Sequence, residues 1–136
     1  MLIKRLTYLL FYLYVGVFVF AGAWGAFGGA SYDQKLLFHL DVSFIDEIPR
    51  ASLLSQYRFL RAVELFFGIW LLIFTIEIFT IKKFNWLFLI LLGGGVLARI
   101  ISLIVDGKPL PIFYFFLVYE IVAFLFIWLY TKSRIK

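Results

Sequence analysis

The sequence predicts an all-α integral membrane protein: a four-helix bundle with both termini cytoplasmic and a short interfacial outer loop between helices 1 and 2. Three observations predict it. Hydrophobic residues make up 65% and aromatic residues 22% of the chain, with a mean hydropathy of +1.04, well outside the usage of soluble domains. Four apolar runs are each long enough, at 1.5 Å per residue, to cross a hydrocarbon core of roughly 30 Å. The cations flanking those runs fall mostly on one side, which fixes an orientation. At 136 residues there is room for a single transmembrane domain.

The first run extends from Leu6 to Gly28 behind Lys4 and Arg5. A secretory signal core is shorter, roughly 7 to 15 residues, so this segment is expected to be retained as a span. Gln56 to Thr80 makes the second span, Trp86 to Val105 the third and Ile112 to Thr131 the fourth. The link from Ile81 to Asn85 makes helices two and three neighbours. Asp106-Gly107-Lys108-Pro109-Leu110-Pro111 is a tight outer turn joining helices three and four, with Pro111 just before or within the first turn of helix four, where its missing N–H costs little.

Lys4, Arg5, Lys82, Lys83, Lys132, Arg134 and Lys136 share one side, against Lys35, Arg50 and Lys108 on the other, where five carboxylates dilute them. The positive-inside bias therefore places both termini in the cytoplasm, and the imbalance argues against the dual-orientation insertion used by some small four-helix exporters. The net charge of +5 is a topology signal, so no nucleic-acid partner is expected.

Residues 29–55 form the one sizeable extramembrane piece. Phe38, Leu40, Val42 and Phe44 alternate with His39, Asp41 and Ser43, a period of two that predicts a short strand or an extended segment lying on the membrane surface. Ile48-Pro49-Arg50 reads as a turn, with Ser52 capping a helix that leads into the second span.

Six charged residues in the outer half or at the outer ends of the apolar runs form one set: Arg58, Arg61, Glu64, Arg99, Asp106 and Glu120. Glu77, near the cytoplasmic edge of the second run, is expected to snorkel toward Lys82 or Lys83 and to have no functional role. A bilayer tolerates such groups where they face protein, water or one another, which makes the six the candidate site. Arg58, Arg61, Glu64 or Leu65, and Gly68 recur every three to four residues on helix two; Gly95, Arg99, Ser102 and Asp106 do so on helix three. Counting inward at 1.5 Å per residue, Glu64, Arg99 and Glu120 all fall roughly 10 to 13 Å from the outer helix ends. The expected pairs are Arg61 with Glu64 and Arg99 with Glu120. Such a cluster could hold a lipid head group, a small anion or a partner subunit of a larger membrane complex through its arginines, or serve purely as a structural clasp. A small proton- or ion-coupled transporter is the alternative, although the stripes offer little beyond Thr75 below Gly68 and Gly95.

Other chemistry finds little support. Cysteine is absent, which removes disulfides, thiolate metal sites and dithiol relays. His39 is the sole histidine, so neither paired-histidine haem ligation nor another metal site is expected. No nucleophile or acid–base pair stands out, and neither enzymatic activity nor a cofactor is expected. Gly93-Gly94-Gly95 lies inside an apolar helix, where close helix packing explains it better than a phosphate loop does.

The run Gln56-Tyr57-Arg58-Phe59-Leu60-Arg61-Ala62-Val63-Glu64, followed by Gly68, then Ala98-Arg99, Asp106-Gly107-Lys108-Pro109 and Glu120, resembles the bacterial family catalogued as domain of unknown function 4345. The resemblance covers roughly Gln56 to Tyr130. It implies four membrane helices in the bacterial inner membrane and supplies no established activity. Where that family commonly has a glycine-rich second helix, Phe66, Phe67 and Trp70 surround Gly68 here, so close packing of the second helix is not expected.

Overall fold

A computed structural model of the chain describes residues 2–135. Six α-helices account for most of them: α1 (Leu2–Ala23), α2 (Ala30–Phe38), α3 (Glu47–Ile73), α4 (Thr75–Thr80), α5 (Lys82–Val105) and α6 (Pro111–Lys132). A π-helical turn, Trp24–Gly28, extends α1, and a 3-10 turn, Val42–Phe44, precedes α3. Among the described residues there is no strand. Three segments are long and apolar enough to cross a membrane: Leu2–Gly28, Lys82–Val105 and Pro111–Lys132. The helix α3 is as long as the first of these, but Arg58, Arg61 and Glu64 interrupt its apolar stretch.

The chain divides into two compact units, residues 1–14 with 73–136, and residues 15–72. In the first, α5 and α6 are antiparallel neighbours joined by the turn at Asp106–Leu110, where Gly107 adopts φ +96° and Pro111 opens α6. The core is aromatic. Phe11 is fully buried and meets Phe79 and Phe88 edge-on at 5.2 and 5.5 Å, while Tyr8 stacks on Phe79 at 4.3 Å. Such ring pairs add about 0.5 to 1.5 kcal/mol each beyond area burial. Tyr119 ties α6 to the N-terminal helix by donating to the Leu10 carbonyl at 2.7 Å. The bend between α4 and α5 is a single extended residue, Ile81. Buried Asn85 secures it by donating from Nδ2 to the Ile78 carbonyl at 3.0 Å, satisfying an acceptor that the end of α4 would otherwise leave unpaired.

In the second unit, α1 and α3 approach closely through small residues. A Cβ added to Gly22 would lie 2.7 Å from the Leu65 backbone nitrogen and 2.8 Å from the Arg61 carbonyl, and one added to Gly68 would lie 2.8 Å from Val19 Cγ2. Close packing of α3 therefore exists despite its bulky neighbours: Gly68 lets the backbones approach, Phe67 meets Phe18 of α1 edge-on at 5.7 Å, and Phe67 and Trp70 stack on each other at 5.9 Å. The triple glycine behaves otherwise. Gly93 faces the Phe124 ring, whereas Gly94 and Gly95 have open space where a side chain would stand, so tight packing is limited to the first of the three.

The segment expected to be a loop, 29–55, holds most of the departures from sequence. Residues 30–38 are helical, and α2 stops because His39 takes a left-handed conformation (φ 54°) that lets the amides of His39 and Leu40 return to the Gln34 carbonyl. Asp41 then accepts from the Ser43 amide at 3.0 Å and the Ser43 hydroxyl at 2.6 Å, coiling the next three residues into the 3-10 turn. This local bonding replaces the extended segment expected from the alternation. Lys35 at 3.3 Å and the two Ser43 bonds hold the Asp41 carboxyl below its ordinary pKa, with the Ser43 bonds the larger cause.

Helix α3 begins at Glu47, well before Gln56. Ile48-Pro49-Arg50 is its first turn, not a separate bend, because a first-turn proline gives up no helical hydrogen bond. Ser52 does not cap; its hydroxyl donates back to the Ile48 carbonyl at 2.9 Å. Between α3 and α4, Phe74 (φ −99°, ψ 23°) breaks the run expected to be continuous from Gln56 to Thr80. The third predicted span likewise starts at Lys82 instead of Trp86.

Candidate functional site

The six charged residues are shared between the units. Arg99, Asp106 and Glu120 lie in the first, and Arg58, Arg61 and Glu64 in the second. Each unit contains an ion pair of its own.

In the first unit, α5 presents Arg99 to Glu120 on α6. Nε donates to Oε2 at 2.8 Å and Nη2 to Oε1 at 3.1 Å, a two-point grip that fixes the guanidinium plane. Glu120 lies on the buried stripe Leu117, Glu120, Ala123, Ile127, and its side chain is 11% exposed against 35% for Arg99. The Phe116 ring lies under the guanidinium, 5.7 Å from Arg99 Cζ. Of the five N–H donors of an arginine, three on Arg99 have no acceptor among the described residues. Arg99 borders a partly open cavity of about 80 Å³, lined also by Ser102, Pro109, Phe113, Tyr114 and Leu117. Asp106 stands apart as the exposed cap residue just past the end of α5 and forms no ion pair with the described residues.

In the second unit, α3 supplies three polar side chains one turn apart. Arg58 donates to the Ala26 carbonyl at 2.8 Å, so its cation neutralises the carbonyl end of the first helix. Arg61 donates from Nη1 to Glu64 Oε2 at 2.6 Å and from Nε to the Tyr57 hydroxyl at 2.8 Å. Its stem lies over Gly25, where a Cβ would come within 2.6 Å of Arg61 Cγ. The Tyr57 hydroxyl in turn donates to Asp33 Oδ2 at 2.9 Å, and the Trp24 indole donates to Asp33 Oδ1 at 3.0 Å. The result is one continuous chain: Trp24, Asp33, Tyr57, Arg61, Glu64. Asp33 is buried, and its two oxygens are held by neutral donors.

Trp24, Asp33 and Tyr57 were not anticipated as site residues. The spacing of Tyr57 and Arg61, four apart on one helix face, was a usable signal for that pair. Asp33 gave none, because its helix is short and only weakly apolar. No three of His, Asp and Glu among the described residues gather to hold a metal ion.

An all-α chain carrying three membrane-length apolar helices and charged pairs set among apolar residues is a membrane protein. More narrowly, it belongs to the family described as Domain of unknown function (DUF4345), whose model matches residues 6–130 and so takes in both ion pairs and the Asp33 chain. No curated protein and no solved structure matches it.

Proposed function

We propose that the protein is a non-enzymatic component of the bacterial inner membrane whose Arg99 pocket binds an anionic group, carried by a lipid head group, a small ligand or a partner subunit. It spans the bilayer four times, with α3 and α4 together forming the second crossing and both termini in the cytoplasm. The two-point Arg99–Glu120 pair beside a cavity carries this reading. Glu120 orients the guanidinium and offsets the cost of placing it at depth, and the remaining N–H donors are left for a ligand. A pair serving only as a clasp has no need of such a cavity.

Native mass spectrometry of the protein extracted with its lipids is the test. The wild type is expected to retain a bound anionic species that Arg99→Ala loses while remaining folded. Ligand-free spectra for both would reduce the pair to a clasp. The crossing pattern is checked with single cysteines, since the chain has none of its own. Ser133→Cys should react with an impermeant maleimide only after the cells are opened, and Ser43→Cys should react from the periplasmic side.

A further inference from the structure

At the other end of the α5–α6 hairpin lies a second cavity, of about 170 Å³, lined by Lys82, Asn85 and Trp86 from α5 and by Trp128, Thr131 and Lys132 from α6. It is about twice the size of the one beside Arg99, and Arg99 itself is about 26 Å farther along α5 at 1.5 Å per residue. The two openings thus lie toward opposite ends of the hairpin.

Two ammonium groups border this cavity and no carboxylate does. Lys132 is held in place by a cation–π contact, with Nζ 4.7 Å from the Trp128 ring centre. Bringing two like charges to one cleft is unfavourable without an anion, and an anion between them relieves the repulsion. Two polar groups of the lining already bond to the backbone: one Asn85 amide N–H donates to the Ile78 carbonyl, and the Thr131 hydroxyl donates to the Ile127 carbonyl. The Trp86 and Trp128 indole N–H groups have no acceptor among the described residues. Two lysines and two indole side chains that carry N–H donors, beside the apolar Leu89 and Ile135, match the phosphate and glycerol region of a lipid more closely than a fully solvated ion.

We infer that the Lys82–Lys132 cleft is a binding site for the phosphate of an anionic phospholipid, such as phosphatidylglycerol, distinct from the Arg99 pocket. Recognition rests on charge and indole donors, so it selects net negative head groups over zwitterionic ones.

The full-length protein is reconstituted in nanodiscs of phosphatidylcholine with a minor fraction of phosphatidylglycerol, released into mild detergent, and read by native mass spectrometry for retained lipid. The wild type should retain phosphatidylglycerol in preference to phosphatidylcholine. Replacing both lysines, Lys82→Gln with Lys132→Gln, should cut that preference about thirtyfold, from about fivefold per lysine, whereas Lys82→Arg with Lys132→Arg should keep it. Because both lysines are exposed, the Gln variant should fold, with an unchanged far-UV circular dichroism spectrum. Arg99→Ala should leave this preference intact, which separates the site from the pocket proposed above. Equal retention of the two lipids, or a preference surviving both Gln substitutions, would overturn the inference. Displacement of the lipid by millimolar inorganic phosphate would overturn it too, by assigning the cleft to a soluble anion.

Discussion

Removing Arg99 should damage the protein more than neutralising its partner, and the reason is the unequal burial of the two. Two unit charges about 4 Å apart attract by about 4 kcal/mol at an effective dielectric of about 20. Arg99, with 35% of its side chain exposed, is partly screened by its surroundings, whereas Glu120 at 11% is not. Arg99→Ala strands a buried carboxylate, and we expect a loss of about 3 kcal/mol, the low end for breaking a buried pair because Arg99 is itself about a third exposed. Glu120→Gln leaves a guanidinium that can extend toward water and an amide oxygen that can still accept, so its cost should be about 1 kcal/mol. The double variant should fall short of the summed losses by about 1 to 2 kcal/mol. Unfolding of each variant in mixed micelles of rising dodecyl sulfate content, followed by far-UV circular dichroism, gives the four stabilities. Additive losses, or a Glu120→Gln cost exceeding that of Arg99→Ala, would refute the burial argument.

Other outcomes are equally open to measurement. Gly22→Val should prevent α1 from seating on α3 and cost several kcal/mol, roughly the upper range for overpacking or more, because the obstructing atoms are backbone. By contrast Gly16→Ala, with open space at the added carbon, should be neutral or stabilising by up to about 1 kcal/mol in the same unfolding assay. Tyr57→Phe removes the hydroxyl shared by Arg61 and Asp33 and should cost about 1 to 3 kcal/mol; Gly29→Ala should push the Trp24 indole off its seat, visible as a shifted fluorescence maximum. Because the folded state holds the Asp41 carboxyl below its unfolded pKa, the stability this group lends the 3-10 turn is present above the unfolded value of about 3.9 and is lost as pH falls through the folded one. Amide exchange at Ser43 should report that loss, and Ser43→Ala should move the titration back up.

Why some partners could be named in advance and others could not follows from where the signal lies. An arginine in an apolar helix needs a carboxylate at its own depth, and counting at 1.5 Å per residue was enough to put Arg99 with Glu120 and Arg61 with Glu64. Three of the four apolar runs were legible as membrane-length helices, though their ends were not. Asp33 was not, because α2 is nine residues long, has no pronounced apolar face and lies in a stretch whose composition resembles a surface loop. Pro49 misled for a local reason: the residue that stops a helix from within is also the one best tolerated in its first turn. Phe74 carries no breaker signal at all, so the interruption between α3 and α4 left no trace in the sequence. Likewise, the alternation at Phe38–Phe44 was four apolar residues long, too short to outweigh a single aspartate bonding to the backbone two residues on.

The wide turn at Trp24–Gly28 closes with the Gly29 amide reaching back five residues to the Trp24 carbonyl. Relative to an ordinary helical turn it accommodates one surplus residue, and each residue of an α-helix turns its successors by about 100°. Deleting one glycine or alanine there would therefore act less as a shortening than as a twist, swinging Ala30 onward about the helix axis and carrying Asp33 away from the Trp24 indole. Chain length at this point sets an angle, and a homologue lacking that one position would have to assemble the tyrosine–arginine chain without its aspartate.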